Sequence, residues 1–322
     1  MLKFILRRVL IMIPQLFILS ILIFALAKAM PGDALTGQLA SNPKMDPQTL
    51  HELKEKLGMF DPPYVQYAHW IKGLVHGDLG MSVIHQIPVT QLLEGRLWNT
   101  ILLSAAILVL SYIISIPLGI VSGRWTDSWA DKTIVGYNYL TYATPLFIFA
   151  LLVLFIFGFV LGWFPTSGSV DIRAENGTFA YYLSKLNHLI LPAFSGAIIS
   201  TTYTIQMLRN EIIDTKIKDF VKTARAKGVN ESRVYTRHIL RNSLLPIAAF
   251  LGYEITGLIG GSVFLESIYG YPGLGQLFVD SISQRDFSVV TALVMISGFA
   301  TLVGTLLSDI ILSAVDPRIR IE

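Results

Sequence analysis

Residues 209–241 hold nine lysines and arginines against four acids, Glu211, Asp214, Asp219 and Glu231, a net charge of +5 set between long apolar runs. A short connection would not need so long a polar segment. Cations at this density suit two jobs: lying on anionic lipid headgroups, or being held by another protein. A second ionisable group stands apart, Glu254, about ten residues into an apolar run. A carboxylate at that depth is costly unless it faces water or a partner. It reads either as a path-lining acid that meets a substrate amine or polar gate groups, or as a carboxyl that bonds a neighbouring helix or carries a proton.

Other chemistries find little support. The chain has no cysteine, which excludes disulfides, thiolate metal sites and a cysteine nucleophile. It has no Gly-x-x-x-x-Gly-Lys-Ser/Thr pattern and no Gly-Lys pair at all, so it cannot cradle ATP phosphates in that way. His69, His76 and His85 lie close in sequence, but their spacing matches no tight ligand pattern. No Ser/His/Asp or His-Glu-x-x-His grouping marks an enzyme. No metal, resident cofactor or nucleic-acid partner is expected.

The elements that must carry these residues are membrane helices. Of 322 residues 53% are hydrophobic and only 15% charged, with mean hydropathy +0.58; a soluble domain carries about 25% charged residues. Six runs reach the roughly 20 residues that cross a bilayer, at 9–30, 99–121, 133–163, 187–208, 244–267 and 288–315. Ser195, Ser200, Thr201, Thr202 and Thr204 dilute the fourth; they serve either as helix-to-helix bonds or as a polar wall. Pro14, Pro117, Pro145 and Pro192 read as kinks, and Asp309 as an acid with a local partner. With both termini inside, inner segments hold 16 lysines and arginines and the longer outer loops 8. The first apolar run is too long for a secretory signal and is read as a retained helix.

Three regions follow: a tail and first helix over 1–30, an extracytoplasmic segment over 31–98, and a five-helix core over 99–322 with its cytoplasmic loop at 209–243. In the outer segment Asp46 can cap a helix over 47–57 that stops at Gly58. Tyr67, Trp70, Ile71 and Leu74 then fall at helical spacing suited to the interface. A cap over the outer mouth and a docking surface for an external partner both fit this segment. In the inner loop, 219–227 forms a helix, Gly228 can stop it in a left-handed turn, and Asn230 can cap the next, on which Val234, Tyr235, His238 and Ile239 make an apolar stripe. Helix, glycine turn, helix is more order than a lipid-bound loop requires.

That loop resembles the coupling loop of binding-protein-dependent ABC importer permeases, more narrowly the oligopeptide/dipeptide/nickel branch. The matching residues are D-F-V-K-T-A-R-A-K-G at 219–228 and R-H-I-L-R-N-S-L-L-P at 237–246. Further matches are Met30-Pro31-Gly32-Asp33, Gly77 to Ser82, Arg96-Leu97-Trp98-Asn99-Thr100, Glu266 to Gly275 and Asp316-Pro317-Arg318. Lys222-Thr223-Ala224 stands where other branches carry Glu-Ala-Ala, and Trp98 where a proline is common.

The resemblance implies a type I ABC importer permease fold, all α and integral to a prokaryotic cytoplasmic membrane, in the manner of the first of two permease subunits. It implies a second homologous permease, two ATP-binding subunits that carry the ATP and magnesium, and an extracytoplasmic binding protein. The ATPase contact would centre on Ala224 and Gly228, with Asp219, Arg225, Lys227 and Arg233 around them. Glu254 is a candidate for the translocation path; Glu266, Pro272 and Gly273 are candidates for the path or the outer gate. Peptide is the expected cargo. Nickel chelates and glutathione are alternatives within the family, and an ion-coupled secondary transporter is the alternative outside it.

Overall fold

In the computed structural model, residues 2–29, 51, 55, 60–260 and 263–315 are described, with side chains left aside at 2–4, 252, 253, 255–260 and 311–315. The chain runs through α1 (Leu2–Ala29), α2 (Pro63–Val75), α3 (Val89–Arg124), α4 (Trp129–Ala143), α5 (Leu146–Val153, continued by a π-helical stretch, Leu154–Val160) and α6 (Phe179–Lys216). Then come α7 (Asp219–Ala226), α8 (Glu231–Arg233, continued by a π-helical stretch, Val234–Leu240, and Arg241–Ser243), α9 (Leu245–Gly260), α10 (Val263–Ile268), α11 (Leu274–Ser283) and α12 (Phe287–Val315). Residues 30–33 and 316–318, the Asp46 cap, and most of the helix expected over 47–57 lie outside the described residues.

Among the described residues, four helices, α1, α3, α6 and α12, are long and apolar enough to cross a membrane. The run expected as one span over 133–163 is instead α4 and α5, bent by 100° at Thr144 and Pro145. The cause is local: a residue before proline is pushed out of the helical region, and Thr144 lies at φ −93°, ψ 115°. Pro14, Pro117 and Pro192, by contrast, lie inside α1, α3 and α6. Within the run expected over 244–267, Leu245–Gly260 is α9 and α10 starts at Val263, residues 261 and 262 lying outside the described residues. Within residues 266–275, α10 carries the chain to Ile268 and α11 starts at Leu274.

α3 and α6 form the spine, with 36 and 38 residues, or about 54 and 57 Å at 1.5 Å per residue. Both outreach the bilayer core. Ile107 meets Gly196, Gly119 meets Leu208 and Gly123 meets Ile212, a constant offset of 89 residues. The two helices therefore run parallel and in register. Close approach needs small residues on one face: a Cβ on Gly123 would lie 2.8 Å from the Ile212 Cβ. Gly123→Leu is expected to lower stability by ~1–3 kcal/mol through overpacking, read as an earlier thermal midpoint of the purified protein.

On the other side, α1 packs antiparallel on α12. Arg8 pairs with Asp309 at 3.0 Å, and Leu19 meets Gly298. Arg8 is thus the local partner expected for Asp309. Three of the five α6 hydroxyls bond across to other parts of the bundle: Ser195 meets the Tyr269 hydroxyl at 2.7 Å, Thr201 that of Tyr137 at 2.9 Å, and Thr202 that of Thr141 at 2.7 Å. Ser200 is exposed.

Hydrogen bonds tie the described part of the outer segment to the bundle. Tyr67 on α2 shares a hydrogen bond with Ser20 on α1 at 2.8 Å, and the Phe24 ring packs on Tyr67 and Trp70. Further on, the Ser82 hydroxyl donates to buried Asp286 at 2.5 Å, just ahead of α12, and the Ile84 amide donates to the same oxygen at 3.2 Å.

Candidate functional site: the inner loop and the outer turn

The inner loop is built as its residues suggest. Lys218 leads into α7, its carbonyl accepting the Val221 and Lys222 amides. Val221 and Ala224 point inward, and Val234, Tyr235 and Ile239 close over them to join Leu208, Ile212 and Ile247 in one apolar cluster. Gly228 takes the left-handed conformation, φ +72°, its amide donating to the Arg225 carbonyl at 2.9 Å. Asn230 caps α8 by accepting the Ser232 amide at 2.9 Å. Arg225 then clasps Glu231 with two bonds, at 3.0 and 2.7 Å. The guanidinium holds the Glu231 carboxyl below its usual range.

The loop presents a tip. Asp219, Arg225, Lys227, Gly228 and Arg233 are exposed, and nothing lies within 4 Å of where a Gly228 Cβ would stand. Phe220 adds an apolar side chain that is 42% exposed beside these charges. Ala224, expected at a contact with another protein, is instead buried. Its small side chain lets α7 lie close on its own chain. His238 belongs less to the apolar stripe than Val234, Tyr235 and Ile239, being only half-buried.

At the opposite end, the Glu266 carboxylate is fully buried within this chain. Thr100 donates its hydroxyl to one carboxylate oxygen at 2.9 Å, and the Gln276 amide donates to the other at 3.0 Å. The same Thr100 hydroxyl accepts the Leu274 amide at 2.7 Å, and Asn99 donates to the Pro272 carbonyl at 3.0 Å. Glu266 therefore caps the positive end of α11 from a distance. Gly273 lacks a side chain because the carboxylate fills that space. Asn99 and Thr100 on α3 thus strap down the turn within Glu266 to Gly275, joining two motifs far apart in sequence.

Glu254 is half-buried on α9 and faces the Tyr112 phenol on α3. One of its oxygens and the Tyr112 hydroxyl are enclosed and, apart from facing each other, meet no hydrogen-bond partner among the described residues. Groups so placed call for a further polar partner.

Sequence reading missed an inner cluster built on Asp131. Its signal was present as Ser128-Trp129-Ala130-Asp131, a helix-start pattern. Ser128 caps α4 by accepting the Asp131 amide at 3.2 Å, and Arg209 grips the Asp131 carboxylate through two bonds of 2.8 Å.

A bundle of long apolar helices with an ordered basic tip is the architecture of a membrane subunit that another protein can hold. Comparisons place it. The family described as "Binding-protein-dependent transport system inner membrane component" matches residues 115–321, and "Binding-prot-dependent transport system membrane comp, N-term" matches residues 1–104. The chain belongs to this permease family and is a multi-pass protein of the cytoplasmic membrane.

Among its relatives is the oligopeptide transport system permease protein AppB of Bacillus subtilis, 41% identical over 99% of this chain and 100% of that one. A putative peptide transport system permease of Brucella abortus is 36% identical over 99% of each. The glutathione transport system permease protein GsiC of Escherichia coli K12 is 31% identical over 99% of each. The fold resembles a chain of the MetNI methionine ABC transporter in an inward-facing conformation, with TM-score 0.55 and 14% identity, covering 70% of this chain and 97% of that one.

Proposed function

We propose that this chain is one permease half of an ATP-driven importer of oligopeptides or dipeptides. It forms the translocation path with a second, homologous permease, is worked by two ATP-binding subunits that hold ATP and magnesium, and receives cargo from an extracytoplasmic binding protein. The observation that carries this reading is the preformed inner tip. Its hinge, clasp and cap order the backbone while Gly228 and the flanking cations stay open to another protein. Closure of the ATPases then tilts the attached helices as rigid bodies. The relatives named for peptide transport support the cargo class; the relative named for glutathione transport supports glutathione as a second reading.

The test is reconstitution. In vesicles holding the complete complex, labelled peptide is expected to accumulate only with ATP and the binding protein present. Uphill transport by this chain alone would overturn the reading. Competition of labelled tripeptide uptake by excess glutathione separates the two cargoes.

A further inference from the structure

The inner cluster is built more heavily than helix attachment requires. Asp131 lies in the first turn of α4, is 2% exposed, and receives donors from three elements. Arg209 on α6 donates to both of its oxygens at 2.8 Å, and the Asp127 amide, in the α3–α4 turn, donates to one at 2.9 Å. The Ser122 hydroxyl on α3 donates to the other. Seven residues along α6 from Arg209, Lys216 donates to the last carbonyls of α3, at 2.6 Å to Gly123 and 2.8 Å to Arg124. The Arg124 guanidinium then lies 4.5 Å from the Tyr235 ring on the loop and 4.9 Å from that of Trp125.

We infer that Asp131 and Arg209 are positioning residues of the transport cycle: their two-pronged ion pair locks the inner ends of α3, α4 and α6 into one body with the basic loop, so that displacement of α7 moves three helices together. This rests on the loop being the place where the ATPase acts. A buried ion pair is weak as a source of stability, because desolvation offsets the attraction. Its particular contribution is orientation, since a planar fork on a carboxylate fixes direction as well as distance. α4 already has other ties to α6, through Tyr137 with Thr201 and Thr141 with Thr202. Attachment alone would not need the fork.

The experiment uses the full complex in vesicles, with uptake and ATP hydrolysis measured in the same sample. Asp131→Asn keeps the shape and removes the charge; Arg209→Lys keeps the charge and removes the fork. Both are expected to assemble with the ATPases and to hydrolyse ATP near the normal rate. Peptide moved per ATP should fall at least about fivefold, the lower range of a coupling free energy. A normal ratio in either variant would overturn the inference. Failure of both to assemble would also overturn it, by making the pair a folding contact. ATP-independent uptake by the unaltered complex would instead sink the importer reading itself.

Discussion

Gly228→Trp is expected to yield a protein that inserts and folds but no longer takes up peptide. Two facts make this substitution discriminating. Gly228 lies at φ +72°, where an L side chain costs ~1–2 kcal/mol, a strain the whole bundle can absorb. Among the described residues, chain neighbours aside, nothing stands within 4 Å of where the new Cβ would be. The indole would therefore leave an exposed tip, where a docked protein would meet it. Gly228→Asn is the control, because asparagine visits the left-handed region and adds little bulk. Uptake in the Trp variant should fall at least about tenfold while the Asn variant stays near normal, given coupling energies of the usual size. Normal uptake in the Trp variant would remove the docking surface from this tip.

The second large effect belongs to a single methyl group. Gly273 has φ −114° and ψ −174°, a backbone that any residue can adopt. A Cβ there would nevertheless lie 2.3 Å from the Glu266 carboxyl carbon. That carboxylate cannot step aside, because Thr100 and the Gln276 amide hold its two oxygens. Gly273→Ala is expected to lower stability by ~3 kcal/mol or more, combining overpacking with hydrogen bonds to a charged group lost. Glu266→Ala should be costly too, since it strands buried donors. The double variant should be little worse than Glu266→Ala alone, a coupling of ~3 kcal/mol. Thermal unfolding of the purified complex reads all three. Simple additivity would show that the glycine is not there to house the carboxylate.

The tip and the outer turn were legible to different degrees. Gly228, Asn230 and the 219–227 helix follow from local preferences, and each takes its expected form. Ala224 does not, because which face of a short helix turns inward depends on α6 and α8 packing beneath it. Glu266 was visible as an acid at the end of an apolar run. Its partner Thr100 lies 166 residues earlier, and nothing in either motif names the other. The Pro145 break was expected as a kink, yet an averaged apolar run carries no direction, so a 100° turn inside it stays hidden.

The sequence by itself determined that this is a helical membrane protein, that the segment around Gly228 faces the basic side, and that this segment folds as helix, turn and helix. Those outcomes are sums of local free energies: transfer of side chains into hydrocarbon, attraction of cations to one side, and the conformational range of single residues. Only the tertiary structure decided that Asp131 meets Arg209, that Glu266 caps α11, and that α3 and α6 run in register. A polar side chain inside a bundle must find a partner, and which partner it finds is set by helix packing across the whole chain.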